Sequence, residues 1–313
     1  MSLAKKFYAL ILLTKPLQWS KSFANMLIGS FIALYLLNGF VNFTNFNPFL
    51  FLLAFFAVGP LLWGGFYGFN DWIDREKDKL HPVKKSRPIP SGLINERLAL
   101  IFSITLVLIA FFIGFYFFFY FNNFLFLICL IAMTVNQFLY CTPPVQLKTK
   151  PVLDLISGSL VNPFFRFYSG WVLFMHAFNA PLLLLFFVLG LQFSGYAFYR
   201  LNSRELEKEL NFRSSVVVFS EKTIKAVAYL VGLVAGISFV LMCLTKDFFP
   251  SLLFLGGLPL RFLSLVVFSL LLTPFYYSSI RNPTGMNIRK MYYVIYFHVI
   301  AFVLGFILLF LLF

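Results

Sequence analysis

The stretch FFIGFYFFFYF, residues 111–121, decides how the rest of the chain is read. Local propensity makes it a strand, since Phe, Tyr and Ile favour the pleated surface of a sheet. Its surroundings overrule that. The stretch closes an apolar run that begins near residue 97, and about 20 apolar residues in succession are what a helix needs to cross a bilayer. In lipid, every backbone N–H and C=O must be satisfied inside a helix or a closed barrel. Barrel strands alternate polar and apolar side chains, and these residues do not alternate. The stretch is therefore expected to be part of a transmembrane helix.

Working outward, the same criterion finds nine candidate spans, at roughly 17–39, 46–69, 97–119, 123–142, 153–175, 181–200, 223–244, 252–277 and 290–312. The 313 residues are 61% hydrophobic and only 12% charged, with a mean hydropathy of +0.89. A soluble domain of this size has too few charged side chains here to cover its surface. The expectation is an all-α, polytopic membrane protein. About nine transmembrane helices would form a bundle around a central cavity, as a single domain over residues 1–313.

The basic residues test that count, because cytoplasmic loops carry the excess of Lys and Arg. Starting from a cytoplasmic N-terminus, alternation puts Lys5, Lys6 and Lys15 inside, together with the loops at 79–97, 143–151, 201–222 and 279–290. The opposite loops contain a single Lys, Lys246. The C-terminus is then outside. The N-terminal MSLAKKFYALILLTKPLQW lacks a signal-peptide cleavage pattern and is expected to be an interfacial lead-in. The net charge of +14 follows from this orientation and from attraction to the anionic headgroups of the lipid bilayer. No nucleic acid partner is implied, because the basic residues are dispersed over loops. Cys129, Cys141 and Cys243 have no metal-ligand spacing and are assigned to packing.

Seven of the eleven acidic residues fall in two windows, Asp71, Asp74, Glu76 and Asp78, then Glu205, Glu207 and Glu209. Both windows lie where an even-numbered span meets the cytoplasm. On a helix, Asp71, Asp74 and Asp78 share one face, with Asn70 one turn before Asp74. Three carboxylates on one stripe repel unless a cation is shared between them. Mg²⁺ suits such oxygens, since it takes one or two carboxylates and completes its shell with water and substrate phosphates. Ser203, Glu205 and Glu207 form a second, weaker set, and the two windows together suggest two ions holding a diphosphate.

These residues resemble a known family, the UbiA superfamily of intramembrane prenyltransferases. Asn70, Asp71, Asp74 and Asp78 match its N-D-x-x-D-x-x-x-D signature after the second span. Arg87-Pro88-Ile89-Pro90-Ser91-Gly92 is similar to its R-P-[IL]-x-S-G, and Tyr140-Cys141-Thr142-Pro143-Pro144 with Leu147-Lys148 is similar to its Y-S-x-P-P-x-x-L-K turn. The second signature departs from the family. Where D-x-E-x-D and then K-[ST]-T-x-x-V are usual, the chain has Ser203, Glu205 and Glu207, then Arg213-Ser214-Ser215-Val216-Val217.

The resemblance implies Mg²⁺-dependent transfer from a prenyl diphosphate to an aromatic or other lipophilic acceptor, with the active site facing the cytoplasm. Metal ligands would be Asp71, Asp74, Asp78, Glu205 and Glu207. The catalytic set would be Asp71, Asp74, Asp78, Tyr140, Lys148 and Arg87. Asn70, Lys84, Lys85, Arg166, Ser203 and Lys21 would bind substrate. Arg166 lies inside the fifth span, where an unpaired cation is costly, and is expected to meet Asp154 or a substrate anion. His81, His176 and His298 have no partners at metal spacing. A second reading comes from Lys15-Pro16-Leu17-Gln18-Trp19-Ser20-Lys21 and from His81-Pro82-Val83-Lys84. Both resemble the branch of the superfamily that moves a phosphoribosyl group from its diphosphate onto polyprenyl phosphate. A transporter or channel is the reading from another class, disfavoured because the acids lie at span ends instead of mid-membrane.

Overall fold

The structure, a computed structural model, describes residues 3–39, 41, 44–80, 84–248, 256–272, 274, 277 and 285–311. Among these residues there is no strand. The helices are α1 (Leu3–Leu13), α2 (Trp19–Asn38), α3 (Pro48–Leu80), α4 (Glu96–Phe121), α5 (Phe124–Cys141), α6 (residues 153–171), α7 (Leu182–Arg200), α8 (Arg204–Glu209), α9 (Ser215–Val218), α10 (Glu221–Phe248), α11 (Leu263–Leu271) and α12 (Gly285–Leu311). Six helical stretches are long and apolar enough to cross a membrane, and two shorter apolar ones lie at Leu260–Leu271 and Phe297–Leu311. With α6, each of the nine expected spans has a helical counterpart. The N-terminal lead-in is a helix of its own, separated from α2 by Lys15 in the left-handed region at φ 51°. The span expected at 252–277 is described as helix mainly over 260–271, and α12 begins five residues before the expected 290. His81, Pro82 and Val83 lie outside the described residues.

The stretch at 111–121 is the last part of α4. Phe112, Phe115, Phe119 and Tyr120 are exposed along one stripe, while Ala110, Gly114 and Phe117 are buried on another. That is helical spacing, with the bulky aromatics on the outward stripe where lipid would lie. Asn122 then takes φ 51° and ends the helix. The Asn123 side chain caps α5 by accepting from the Phe126 N–H at 3.1 Å, a role suited to its short polar side chain.

The chain divides into two compact units. The first comprises Met1–Ser30, Phe46–Val145 and Phe165–Ala177. Its α3 starts at an Asn47 cap, whose side chain accepts from the Leu50 N–H at 3.0 Å. A π-helical segment, Ala57–Trp63, surrounds Pro60, which has no N–H to give the helix ladder. Gly65 lets α3 approach α4 closely, because a Cβ there would meet the Ser103 carbonyl oxygen at 2.6 Å. At 33 residues, α3 is about 50 Å long, against about 30 Å of hydrocarbon. Its last turns, from Asn70 onward, therefore project past the apolar layer.

The second unit comprises Phe31–Asn45, Gln146–Phe164 and Phe178–Phe313. It is centred on α7 packed along α10. Leu155, Ala197, Ile224 and Ala228 are buried together there, with Phe193, Tyr196, Phe198 and Leu201 packed against them. Phe262, Phe306 and Phe310 form a separate aromatic cluster with Phe31. The three cysteines are free and buried.

Candidate active site

In the first unit, the acid stripe on α3 is clasped by basic side chains. Asp71 and Asp78 are buried. Arg87 bridges them through one nitrogen, with Nη1 donating to Asp71 Oδ1 at 2.8 Å and to Asp78 Oδ2 at 2.7 Å. Lys15 Nζ donates to the same Asp71 oxygen at 2.8 Å, and Lys84 stands 3.8 Å from Asp78. Asp74 accepts from Asn70 Nδ2 at 3.3 Å, the one-turn pair expected on this face. Glu76 and Arg75 point elsewhere, pairing with Lys79 at 2.9 Å and with Glu96 at 2.7 Å. The cation that three acids on one face demand is thus supplied in part by the chain itself.

Arg87 reaches back because the RPIPSG segment is a compact turn. The Arg87 N–H donates to the Lys84 carbonyl at 3.0 Å, and the Ile94 N–H to the Pro88 carbonyl at 3.1 Å. Gly92 supplies φ 74°. Ile89 and Ile94 are buried with Ala9, Leu13 and Ala99, which anchors the turn by its apolar residues. Lys84 is half-buried and Lys85 exposed.

Two buried oxygens on this stripe, Asn70 Oδ1 and Asp71 Oδ2, have no hydrogen-bond partner. An unmet buried acceptor costs about 1–3 kcal/mol, so neighbouring residues offering two such oxygens fit a hard cation. Among the described residues no three His, Cys, Asp or Glu side chains are grouped as a metal cage.

Beside the stripe lies an aromatic pocket with two further cations. Arg166 is buried, its guanidinium 3.7 Å from the Trp63 ring centroid. Trp63 is fixed by its Nε1 donating to Met133 Sδ at 3.4 Å. Lys15 lies 5.3 Å from the Tyr67 ring centroid, and Lys21 is close enough to Arg166 to repel it. Asp154, which the sequence offered as a partner for Arg166, takes Arg200 instead at 3.1 Å. Trp63 and Tyr67 one helical turn apart were the available signal for this pocket. Tyr140 is half-buried in the last turn of α5, just before the Pro143-Pro144 turn.

In the second unit, the structure brings Ser203 and Glu207 together and turns Glu205 away. Ser203 donates to Glu207 Oε1 at 2.6 Å. Glu205 is 79% exposed and pairs with Lys208 at 3.0 Å. On a helix, residues two apart point to nearly opposite sides, so the i, i+2, i+4 set cannot converge. Glu207 is buried, where it also meets Arg200 and Ser214. Lys148 is buried, and its carbonyl accepts from Arg200 at 3.4 Å. Arg200, and its pairing with Asp154, was missed from the sequence. A basic residue closing the sixth span and an acid opening the fifth were the signal.

Known proteins share both the sequence pattern and the fold. Protoheme IX farnesyltransferase of Pyrobaculum islandicum is 26% identical over 193 residues, which cover 58% of this chain and 66% of that protein's length. A UbiA homolog from Archaeoglobus fulgidus bound to GPP and Mg²⁺ superposes with a TM-score of 0.69 at 16% identity, covering 95% of this chain and 98% of its own. An apo UbiA homolog from Aeropyrum pernix K1 gives a TM-score of 0.65 at 14% identity, covering 92% and 98%. At these identities the structural likeness speaks for the fold alone. A match to the UbiA prenyltransferase family runs over residues 26–300. It takes in the acid stripe, the Arg87 turn and the Pro143-Pro144 turn, and the chain belongs to that family.

Proposed function

We propose that the protein is a membrane transferase that moves a prenyl group from a prenyl diphosphate to an aromatic or other lipophilic acceptor. The observation that carries this reading is the stripe on α3, where Arg87 and Lys15 hold Asp71 and Asp78 while Asn70 Oδ1 and Asp71 Oδ2 stay open. Asn70, Asp71 and Asp74 would hold Mg²⁺, with Asp78 as the third acid of the stripe. Bound there, Mg²⁺ would neutralise charge on the diphosphate. Support comes from family membership, from the farnesyltransferase relative, and from neighbours of the same fold whose structures are bound to GPP or DMAPP with Mg²⁺.

Arg87, Lys84 and Lys85 bind the diphosphate oxygens and stabilise the charge that grows on them. The allylic C–O bond breaks and the diphosphate leaves with the electron pair. The acceptor's nucleophilic atom then forms the new bond to the allylic carbon and loses its proton to solvent. Tyr140 shelters the allylic cation through its ring face. Arg166 already covers Trp63, so that ring is assigned to holding Arg166. Arg166 and Lys21 bind an anionic part of a substrate. The site faces the cytoplasm by the distribution of basic loops.

A phosphoribosyl donor is the second reading. It is favoured by one observation, that Lys15 of the Lys15-to-Lys21 string bonds Asp71 directly. One experiment tests both readings. The purified chain with Mg²⁺ is offered several prenyl diphosphates with aromatic, haem and glycerol-phosphate acceptors, and phosphoribosyl diphosphate with polyprenyl phosphate, and products are identified by mass spectrometry. Prenylated product lost in Asp71→Asn supports the first reading. Phosphoribosylated lipid alone replaces it with the second.

A further inference from the structure

We propose that the second acidic window holds no divalent cation, its place being taken by the guanidinium of Arg200. The inference rests on reading the chain as a Mg²⁺-dependent transferase, and it concerns only the second unit. Arg200 lies between two buried carboxylates from different segments. Its Nη2 donates to Asp154 Oδ2 at 3.1 Å and to Glu207 Oε2 at 3.0 Å, and its Nη1 is 2.8 Å from Glu207 Oε1. The carboxylate oxygens have further donors as well. Ser203 donates to Glu207 Oε1 at 2.6 Å, and Ser214 to Glu207 Oε2. Asp154 Oδ1 accepts from the Ser215 hydroxyl, and Asp154 Oδ2 from the Ser215 N–H at 3.1 Å. The Ser215 hydroxyl in turn accepts from the Val152 N–H at 2.7 Å.

All four oxygens of Asp154 and Glu207 therefore have donors. This differs from the stripe on α3, where Asp71 keeps an open oxygen. A divalent ion would have to expel Arg200, which cannot shed its proton to leave, and would strip three hydroxyls and a backbone N–H of their acceptors. The other two carboxylates of the window, Glu205 and Glu209, are exposed, and Glu205 pairs with Lys208. Ser203, at the first position of the window, is neutral and acts here as a donor. Ser203, standing where the family's second signature has an acid, donates to Glu207, and Arg200 bridges Glu207 to Asp154.

The test counts ions on the intact chain in detergent, using Mn²⁺ in place of Mg²⁺ and electron paramagnetic resonance to measure the free ion. Wild type, Glu205→Gln and Glu207→Gln are expected to bind the same number of Mn²⁺ per chain, whereas Asp71→Asn loses one. Arg200→Met that elutes as a folded monodisperse species should gain an ion, since Asp154 and Glu207 then face each other without their cation. Loss of an ion in Glu205→Gln, whose exposed side chain leaves folding unaffected, or in Glu207→Gln overturns the proposal. So does a folded Arg200→Met that gains none. Failure of the protein to turn over either donor bears on the transferase reading alone, because ion counts do not depend on turnover.

Discussion

Replacing Arg87 by Gln isolates the clasp over the acid stripe. The guanidinium makes two charge-assisted hydrogen bonds, at 2.8 Å to Asp71 and 2.7 Å to Asp78, and its own side chain is 27% exposed. Bonds to charged groups contribute about 1.5–3 kcal/mol each. Breaking a fully buried ion pair costs about 3–5 kcal/mol. Lys15 remains on Asp71 and Lys84 stays near Asp78, and Arg87 is partly solvated, so the lower end applies, about 2–3 kcal/mol for Arg87→Gln. For a chain of this size that is a fall of roughly 3–5 °C in the thermal midpoint, measured in detergent by the loss of monodisperse protein. The physical claim is that Arg87 offsets repulsion between Asp71 and Asp78. Arg87→Gln combined with Asp78→Asn should therefore be less destabilised than the sum of the two single changes, by about 0.5–3 kcal/mol. An unchanged midpoint in Arg87→Gln, or strict additivity in the double variant, refutes the reasoning.

Other expectations follow from the same geometry. Asp71→Asn should lower turnover at least about 100-fold while the chain still folds, since Lys15 and Arg87 can keep one neutral acceptor, measured as product per minute at saturating Mg²⁺. Chelation of Mg²⁺ should abolish turnover and its return restore it, followed by the same product assay. Trp63→Ala should destabilise the chain and expose Arg166, with the cation–π part worth about 2 kcal/mol. Trp63→Phe should keep much of that, as read by thermal midpoints. Gly65→Ala brings a Cβ to 2.6 Å from the Ser103 carbonyl oxygen, so it should part α3 from α4 and depress both midpoint and turnover, whereas Gly195→Ala, where a Cβ meets open space, should change neither.

The acid stripe was legible because a helix face follows from residue spacing. Asp71, Asp74 and Asp78 could be aligned before any contact was known, and Asn70 does meet Asp74 as the spacing demands. The Arg87 turn was recognisable as a motif, but its action was not, since Arg87 reaches Asp71 across 16 residues. The second window misled for the opposite reason. Glu205 and Glu207 are close in sequence, and a local helix turns them apart, while the partners of Glu207 come from residues 200 and 214.

What the sequence determined by itself was the class of the fold, an all-helical membrane protein. Lipid leaves the backbone no partner outside the helix, so an apolar run of sufficient length has one conformation open to it. Only the tertiary structure decided which acids keep oxygens free for a cation and which are already neutralised. That depends on which basic and hydroxyl side chains are brought against each carboxylate: Arg87 and Lys15 leave one oxygen of Asp71 open, and Arg200 with three serines closes every oxygen of Asp154 and Glu207. The pairs Lys15–Asp71, Arg200–Asp154 and Ser215–Asp154 lie 56, 46 and 61 residues apart along the chain, and no local spacing encodes them.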